Sequence, residues 1–407
     1  MTRRRHLSLI LILGAMTALG PFSIDMYLPG FPAIANDLHT TVPQVALSLS
    51  SFFIGISAGQ LLYGPLLDRF GRKKPLYVGL SLFILTSIGC MTVTSIDWLI
   101  ALRFLQAIGS CSAGVAAVAM VRDLFPVEEN AKVFALLMLV LGLSPLLAPT
   151  LGGYVTATFG WQSVFVILGV LGVVLLFATR FGLPNGYLPD TTMSLKPLPI
   201  LTNFLAVLRV RQFSTYALTG GMSFAGLFAY VADSPLVFMD IFQVSGQVYG
   251  WIFAGLSVGL IGASQVNSFL LRRYRSEQLI FAALSCQVAI TLVFLLLTVL
   301  GWLGLVGTLV LLFAFLCCLG IISPNTGALS LAPFTKNAGS ASALMGATQM
   351  GLGALASVSV SLLNNHTAIP MVGIMAATSL LALLILLWGR KSIRYQGVGE
   401  ELLGAEV

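Results

Sequence analysis

Charged side chains are scarce in this chain, 9% of 407 residues, where a soluble globule carries about 25%. That scarcity excludes an ordinary water-soluble domain. The five cysteines (Cys90, Cys111, Cys286, Cys317, Cys318) all fall in apolar stretches, are odd in number and have no histidine beside them. Neither a disulfide framework nor a metal site is indicated, and they read as small buried hydrophobes. The three histidines flank apolar stretches (His6 before the first, His39 and His366 between others), so none is placed for a proton relay. A phosphate loop, a nucleotide-binding fingerprint and a catalytic triad are all lacking. The expectation is therefore a protein that is not an enzyme, not a primary pump, and needs no cofactor.

What is present is hydrophobic sequence, 57% of the chain, grouped into stretches close to the roughly 20 residues of a bilayer-spanning helix. Twelve spans are expected, near 7–29, 44–67, 76–94, 98–121, 132–156, 160–181, 212–237, 247–270, 277–299, 303–323, 338–362 and 369–389. Of the 21 lysines and arginines, 20 lie in every second connection, and only Arg103 falls inside a span. Short basic loops stay cytoplasmic. Both termini are thus expected inside. The net charge of +7 follows from this topology and from the anionic lipid headgroups it faces, with no nucleic acid implied. Arg3-Arg4-Arg5 precedes an apolar run without a small-residue cleavage site, which suggests an uncleaved first helix rather than a signal peptide.

The fold class expected is an all-α membrane protein, twelve helices in two pseudo-symmetric six-helix halves. These are 1–181 and 212–389, joined by a cytoplasmic linker at 182–211 and followed by a tail at 390–407. Pro184, Pro189, Pro197 and Pro199 are expected to block regular structure in the linker. A faint internal duplication supports the division. Asp25 lies 20 residues past Arg5 and precedes Pro29, while Asp233 lies 22 past Arg211 and precedes Pro235. The basic loop after span 2 recurs after span 8 as Arg272-Arg273-Tyr274-Arg275. Parallel repeats of this kind bind substrate near the midplane.

Four segments carry the chemistry. The loop after span 2 reads Gly64-Pro-Leu-Leu-Asp68-Arg69-Phe-Gly71-Arg72-Lys73. Gly64 would permit close helix approach and Gly71 a tight turn, and Asp68 can sit at the positive end of another helix. This string resembles the loop G-x-x-x-D-R-x-G-R-[RK] between helices 2 and 3 of the major facilitator superfamily. The resemblance implies a gating latch in which Asp68 faces the start of span 11, near Gly339-Ser340, and Arg72 pairs with Asp123. On span 5, Gly142, Pro145, Pro149, Gly152 and Gly153 share one helical face, which favours bending and close packing. They resemble the helix-5 motif of the drug:proton antiporters, with Ala148 in place of its first glycine. On span 4, Arg103 and Gln106 match the family's R-x-x-Q-x-x-G pattern, and an arginine inside a span is a functional candidate by default. Arg103 lies about six residues, roughly 9 Å, from the outer end. Asp25 falls in the outer half by the same arithmetic, which leaves the two free to meet. On span 1, Asp25-Met26-Tyr27-Leu28-Pro29 resembles the bicyclomycin- and chloramphenicol-resistance (Bcr/CflA) branch.

The resemblance covers essentially the whole chain. It implies a proton-coupled antiporter, with Asp25, Arg103 and Asp233 as proton-coupling candidates and small amphipathic drugs as cargo. Tyr27, Phe52, Phe224, Phe228 and Tyr230 are candidate aromatic liners of the drug cavity. Gln60, Gln106, Asn325 and Gln349 are candidate hydrogen-bonding groups. Expected partners are a small-molecule substrate, protons and membrane lipids, with the protein itself a monomer. Export of an endogenous metabolite, such as an amino acid or sugar, stays open, because these motifs report coupling and gating rather than cargo.

Overall fold

The computed structural model describes residues 3–184, 197–334 and 338–404. Among these residues the regular structure is all helical. Twelve helices are long and apolar enough to cross a membrane. In the first half of the chain they are Arg5–Asp37, Val42–Phe70, Lys73–Met91, Ile96–Leu124, Leu136–Phe159 and Gln162–Phe181. The rest are Arg211–Ile241, Gly246–Leu270, Ser276–Val299, Leu305–Leu331, Gly339–Leu362 and Ile369–Lys391. We number them spans 1 to 12. The chain is a multi-pass membrane protein.

Local chemistry fixes many of the edges. Span 2 starts at a capping box, Thr41 accepting from the Gln44 N–H, and Ser95 caps span 4 in the same way. Span 10 runs to Leu331 rather than stopping near 323, because Pro324 is absorbed inside the helix. Asn325 Nδ2 donates to the Ile321 carbonyl (2.8 Å) and Thr326 Oγ1 to that of Ile322 (2.9 Å), re-satisfying backbone near the proline.

Spans 1 and 7 both change helical type just after their acid. Span 1 is α-helical through Asp25, tightens into a 3₁₀ turn at Leu28–Gly30 and resumes as Phe31–Asp37. Span 7 is α-helical through Pro235, then widens into a π-helical turn at Leu236–Ile241. Pro29 and Pro235 lack the N–H that an uninterrupted ladder requires.

The linker differs from expectation. Residues 185–196 lie outside the described residues, but Pro197–Arg209 is a helix. Pro197 and Pro199 sit in its first turn, where backbone N–H groups have no intrahelical partner and proline is tolerated. The cysteines also divide. Cys90 and Cys111 are buried, Cys317 and Cys318 are half-buried, and Cys286 is exposed on the apolar surface.

The chain forms two compact units. The first comprises Met1–Leu195, Val231–Val258 and Ser361–Thr367. In it, span 4 packs on spans 1, 2 and 3, while span 6 packs on spans 1 and 3. A side chain at Gly55 would place its Cβ 2.5 Å from the Phe104 carbonyl, so glycine sets the approach of spans 2 and 4. The second unit comprises Lys196–Tyr230, Gly259–Val360 and Ala368–Val407. Span 9 packs there on spans 10 and 12, around a core that includes Tyr216, Ile280, Leu284, Ile322 and Leu386.

Candidate functional site

Arg103 is wholly buried, at 0% exposure, in the middle of the first unit. Its Nη1 donates to Gln106 Oε1 one turn along the same helix (2.6 Å), and its Nη2 to the Ser23 carbonyl on span 1 (2.8 Å). The guanidinium carbon lies over three rings, with centroid distances of 4.2 Å to Phe52, 4.6 Å to Tyr27 and 5.8 Å to Phe165. Nε has no hydrogen-bond partner. Gln106 is fixed in turn by donating Nε2 to Ser87 Oγ (2.8 Å). A cation taken out of water is normally matched by a carboxylate. Here neutral dipoles and ring faces hold it instead.

Asp25 and Arg103, which depth along their spans left free to meet, therefore do not pair. Asp25 is the last residue of the first helix, buried at 6% exposure, two residues beyond the carbonyl that Arg103 grips. It forms no ion pair with Arg103, and it lies within electrostatic range of Tyr249 on span 8. The helix register explains this. Two residues on an α-helix are about 200° apart, so the face that offers the Ser23 carbonyl to span 4 is not the face that carries Asp25.

Asp233 is also buried (2% exposed), in the same compact unit. Asn364, from the connection after span 11, lies beside it. The next residue, Ser234, bonds to the Tyr249 hydroxyl (2.7 Å).

The span-5 motif is a packing surface. A Cβ at Gly152 would collide with the Met26 backbone, and one at Gly153 would lie 2.5 Å from the Gly246 carbonyl. From the other side, a Cβ at Gly250 would lie 2.8 Å from the Pro149 carbonyl. Thr150 Oγ1 donates to the Gly250 carbonyl (3.3 Å), and Trp251 Nε1 to the Tyr154 hydroxyl (3.4 Å). Spans 5 and 8 thus touch backbone to backbone. Pro145 lies inside the same helix, and Gly142 is half-buried on it.

In the loop after span 2, Arg72 pairs with Asp123, as the resemblance implied, and also with Asp68, which was not expected. Arg72 Nε donates to Asp123 Oδ2 (2.7 Å), Nη2 to Asp123 Oδ1 (3.4 Å) and Nη1 to Asp68 Oδ1 (2.5 Å). Burial alone would lower the Arg72 pKa, but the bonds to Asp123 and Asp68 outweigh it and raise it above the ordinary value. Gly71 has φ +79°, a backbone region that other residues rarely adopt. Gly64 differs from expectation, since a Cβ there would meet nothing within 4 Å. Arg69 and Lys73 are half-buried beside the turn.

The candidate substrate residues separate into two groups. Tyr27, Gln106 and Asn325 have their polar groups engaged inside the fold. The Tyr27 hydroxyl pairs with Ser48 Oγ (2.8 Å), and Asn325 Nδ2 donates to Asn267 Oδ1 (2.7 Å). In the second unit, Phe224 and Phe228 are in edge contact at 5.3 Å, and Gly353 makes room for the Phe228 ring. Tyr230 is buried on the same span. Gln349 lines a cavity of about 80 Å³ with Tyr216, Gly220, Ser323, Thr326 and Met345. That is well short of the roughly 300 Å³ and more of a drug-sized pocket. Sequence reasoning missed Ser48, Ser87, Tyr249 and Asn364, and also the Ser23 carbonyl and the Phe165 ring. Serines and phenylalanines are too common in apolar spans to stand out without the fold.

Residues 13–358 match the model of the Major Facilitator Superfamily. The chain belongs to that superfamily. An uncharacterized MFS-type transporter, YdgK of Bacillus subtilis, is 35% identical over 99% of this chain and 98% of its own length. The Bicyclomycin resistance protein homolog of Haemophilus influenzae is 32% identical over 92% of this chain and 94% of its own. The sequence thus falls within the Bcr/CflA-like branch. The crystal structure of a D-xylose-proton symporter shares the fold, with a TM-score of 0.74 at 14% identity over 93% of this chain and 97% of that one.

Proposed function

We propose that this transporter exports small amphipathic drugs, chloramphenicol- or bicyclomycin-like, across the bacterial inner membrane in exchange for protons, with both termini cytoplasmic. The observation that carries the reading is Asp25, a buried carboxyl that forms no ion pair with Arg103, itself a fully buried cation with an unused Nε–H. A permanent structural ion pair would leave neither group available. This arrangement leaves Asp25 able to take up and release a proton as its access to water changes.

The proposed cycle has four steps. Facing outward, Asp25 takes a proton and the drug leaves. The protein then rocks, with the glycine contacts between spans 5 and 8 separating or re-forming and the Arg72 latch resetting. Facing inward, Asp25 releases the proton and drug enters. Each ligand favours a different protonation state, so competition for one cavity couples the two flows. Relatives that carry resistance names support drugs as the cargo.

The test is proton movement in inverted vesicles holding a pre-formed pH gradient, with chloramphenicol-like, bicyclomycin-like and cationic dye compounds added in turn. Collapse of the gradient by one class, lost in Asp25→Asn, is the expected result. No response to any compound from correctly inserted protein would overturn drug export and favour an endogenous metabolite.

A further inference from the structure

The linker helix Pro197–Arg209 has 13 residues, too few to cross a bilayer, and lies outside the twelve spans. It ends at Arg209, with only Val210 before Arg211, where span 7 begins, so the covalent chain holds it at the membrane surface. Its apolar residues form two adjoining stripes. Val207 (1% exposed) packs into the second unit, with Phe204 half-buried beside it. Leu201, Leu205 and Leu208, spaced i, i+4 and i+7, form the neighbouring edge and are 54%, 44% and 41% exposed. Thr202, Asn203, Ala206 and Arg209 occupy the opposite arc and are also exposed. An apolar edge left uncovered by protein, on a helix tethered at a bilayer surface, fits insertion into the headgroup and upper acyl region.

The charge around this edge identifies the lipid. Arg209 and Arg211 bracket the joint with span 7, and both are exposed. In the same unit, antiparallel alternation places Arg272, Arg273 and Arg275 after span 8 and Lys391 at the end of span 12 on this same side, all exposed. Among the described residues the linker helix carries no acidic side chain. We propose that Pro197–Arg209 is an interfacial helix that docks on anionic phospholipid headgroups, its leucine edge in the acyl layer and Arg209 and Arg211 on the phosphates. Through Val210 it would hold the inner end of span 7, the span that carries Phe224, Phe228 and Asp233.

The experiment is hydrogen exchange of the full-length protein in nanodiscs of phosphatidylcholine, with and without phosphatidylglycerol. The amides of 201–209 are expected to exchange severalfold more slowly with the anionic lipid. The difference should vanish in the paired variant Arg209→Gln, Arg211→Gln. A spin label at Leu205→Cys, with Cys286, Cys317 and Cys318 replaced by Ala, should be accessible to oxygen. One at Asn203→Cys should be accessible to a water-soluble relaxant. Equal exchange in both lipids, or a water-accessible label at 205, would overturn the proposal. So would protection that follows the number of protein copies per disc instead of the lipid, because a second copy would then be covering the edge. The hydrogen-exchange arm uses the unmodified chain and stands even if the labelled variants fail to fold.

Discussion

Arg103 Nη2 donates to the Ser23 carbonyl at 2.8 Å, fastening span 4 to span 1 two residues before Asp25. Because the acceptor is backbone, no substitution at Ser23 removes it. The contact is tested through the arginine. Replacing Arg103 by Met removes the desolvation cost of a buried charge, of several kcal/mol. It leaves Gln106 Oε1 and the Ser23 carbonyl short of a donor, at about 1–3 kcal/mol each. These terms nearly cancel, so Arg103→Met is expected to melt close to the unaltered protein while proton-coupled transport is lost. Arg103→Lys keeps the charge, but a single ammonium cannot reach both acceptors with the forked geometry of the guanidinium. It should therefore melt lower than the Met variant. Thermal unfolding in detergent beside vesicle flux gives both readouts, and a sharp fall in melting temperature for Arg103→Met would make the arginine structural.

Asp25→Asn keeps the shape of a buried side chain that makes no ion pair with Arg103, so insertion and fold should be unaffected. Drug-driven proton movement should fall to the level of empty vesicles. A transport rate equal to that of the unaltered protein would remove Asp25 from the mechanism.

The twelve spans and their alternating charge were legible in the sequence because hydropathy and loop basicity are one-dimensional properties. The Arg72–Asp123 pair was legible only through the family motif, since nothing in composition connects residues 51 positions apart. What stayed hidden was side-chain direction. Asp25 and Arg103 were placed at compatible depth, but depth says nothing about which helical face each residue occupies, and the carbonyl of Ser23 has no sequence signature. Likewise span 10 was expected to stop near 323, whereas Pro324 sits inside a helix that runs on to Leu331. Asn364 lies in a short polar connection that offered no reason to associate it with Asp233.

The Arg72 latch is partly solvated, with side-chain exposures of 11% for Arg72, 16% for Asp123 and 39% for Asp68. Pairs of this exposure contribute about 1 kcal/mol or less to stability. Asp68→Asn should accordingly leave drug binding at equilibrium near its original value while slowing turnover, by about tenfold if it adds roughly 1.4 kcal/mol to the switching barrier. Arg72→Lys should resemble it, since an ammonium cannot bridge both carboxylates with forked geometry. Binding and turnover falling in proportion would rule out the latch.

Spans 5 and 8 meet where Gly153 faces the Gly246 carbonyl and Gly250 the Pro149 carbonyl, with hypothetical Cβ distances of 2.5 and 2.8 Å. The obstructing atoms are backbone, so a methyl group cannot be relieved by a rotamer change. Gly250→Ala should destabilise this packed arrangement by about 1–3 kcal/mol, enough to depopulate it in favour of a state where the two spans part. Spin labels at positions 154 and 251, whose side chains are hydrogen-bonded at 3.4 Å, would report a longer distance in Gly250→Ala than in the parent. Transport should fall while the protein stays folded. An unchanged distance distribution would show that the contact is not broken in the cycle.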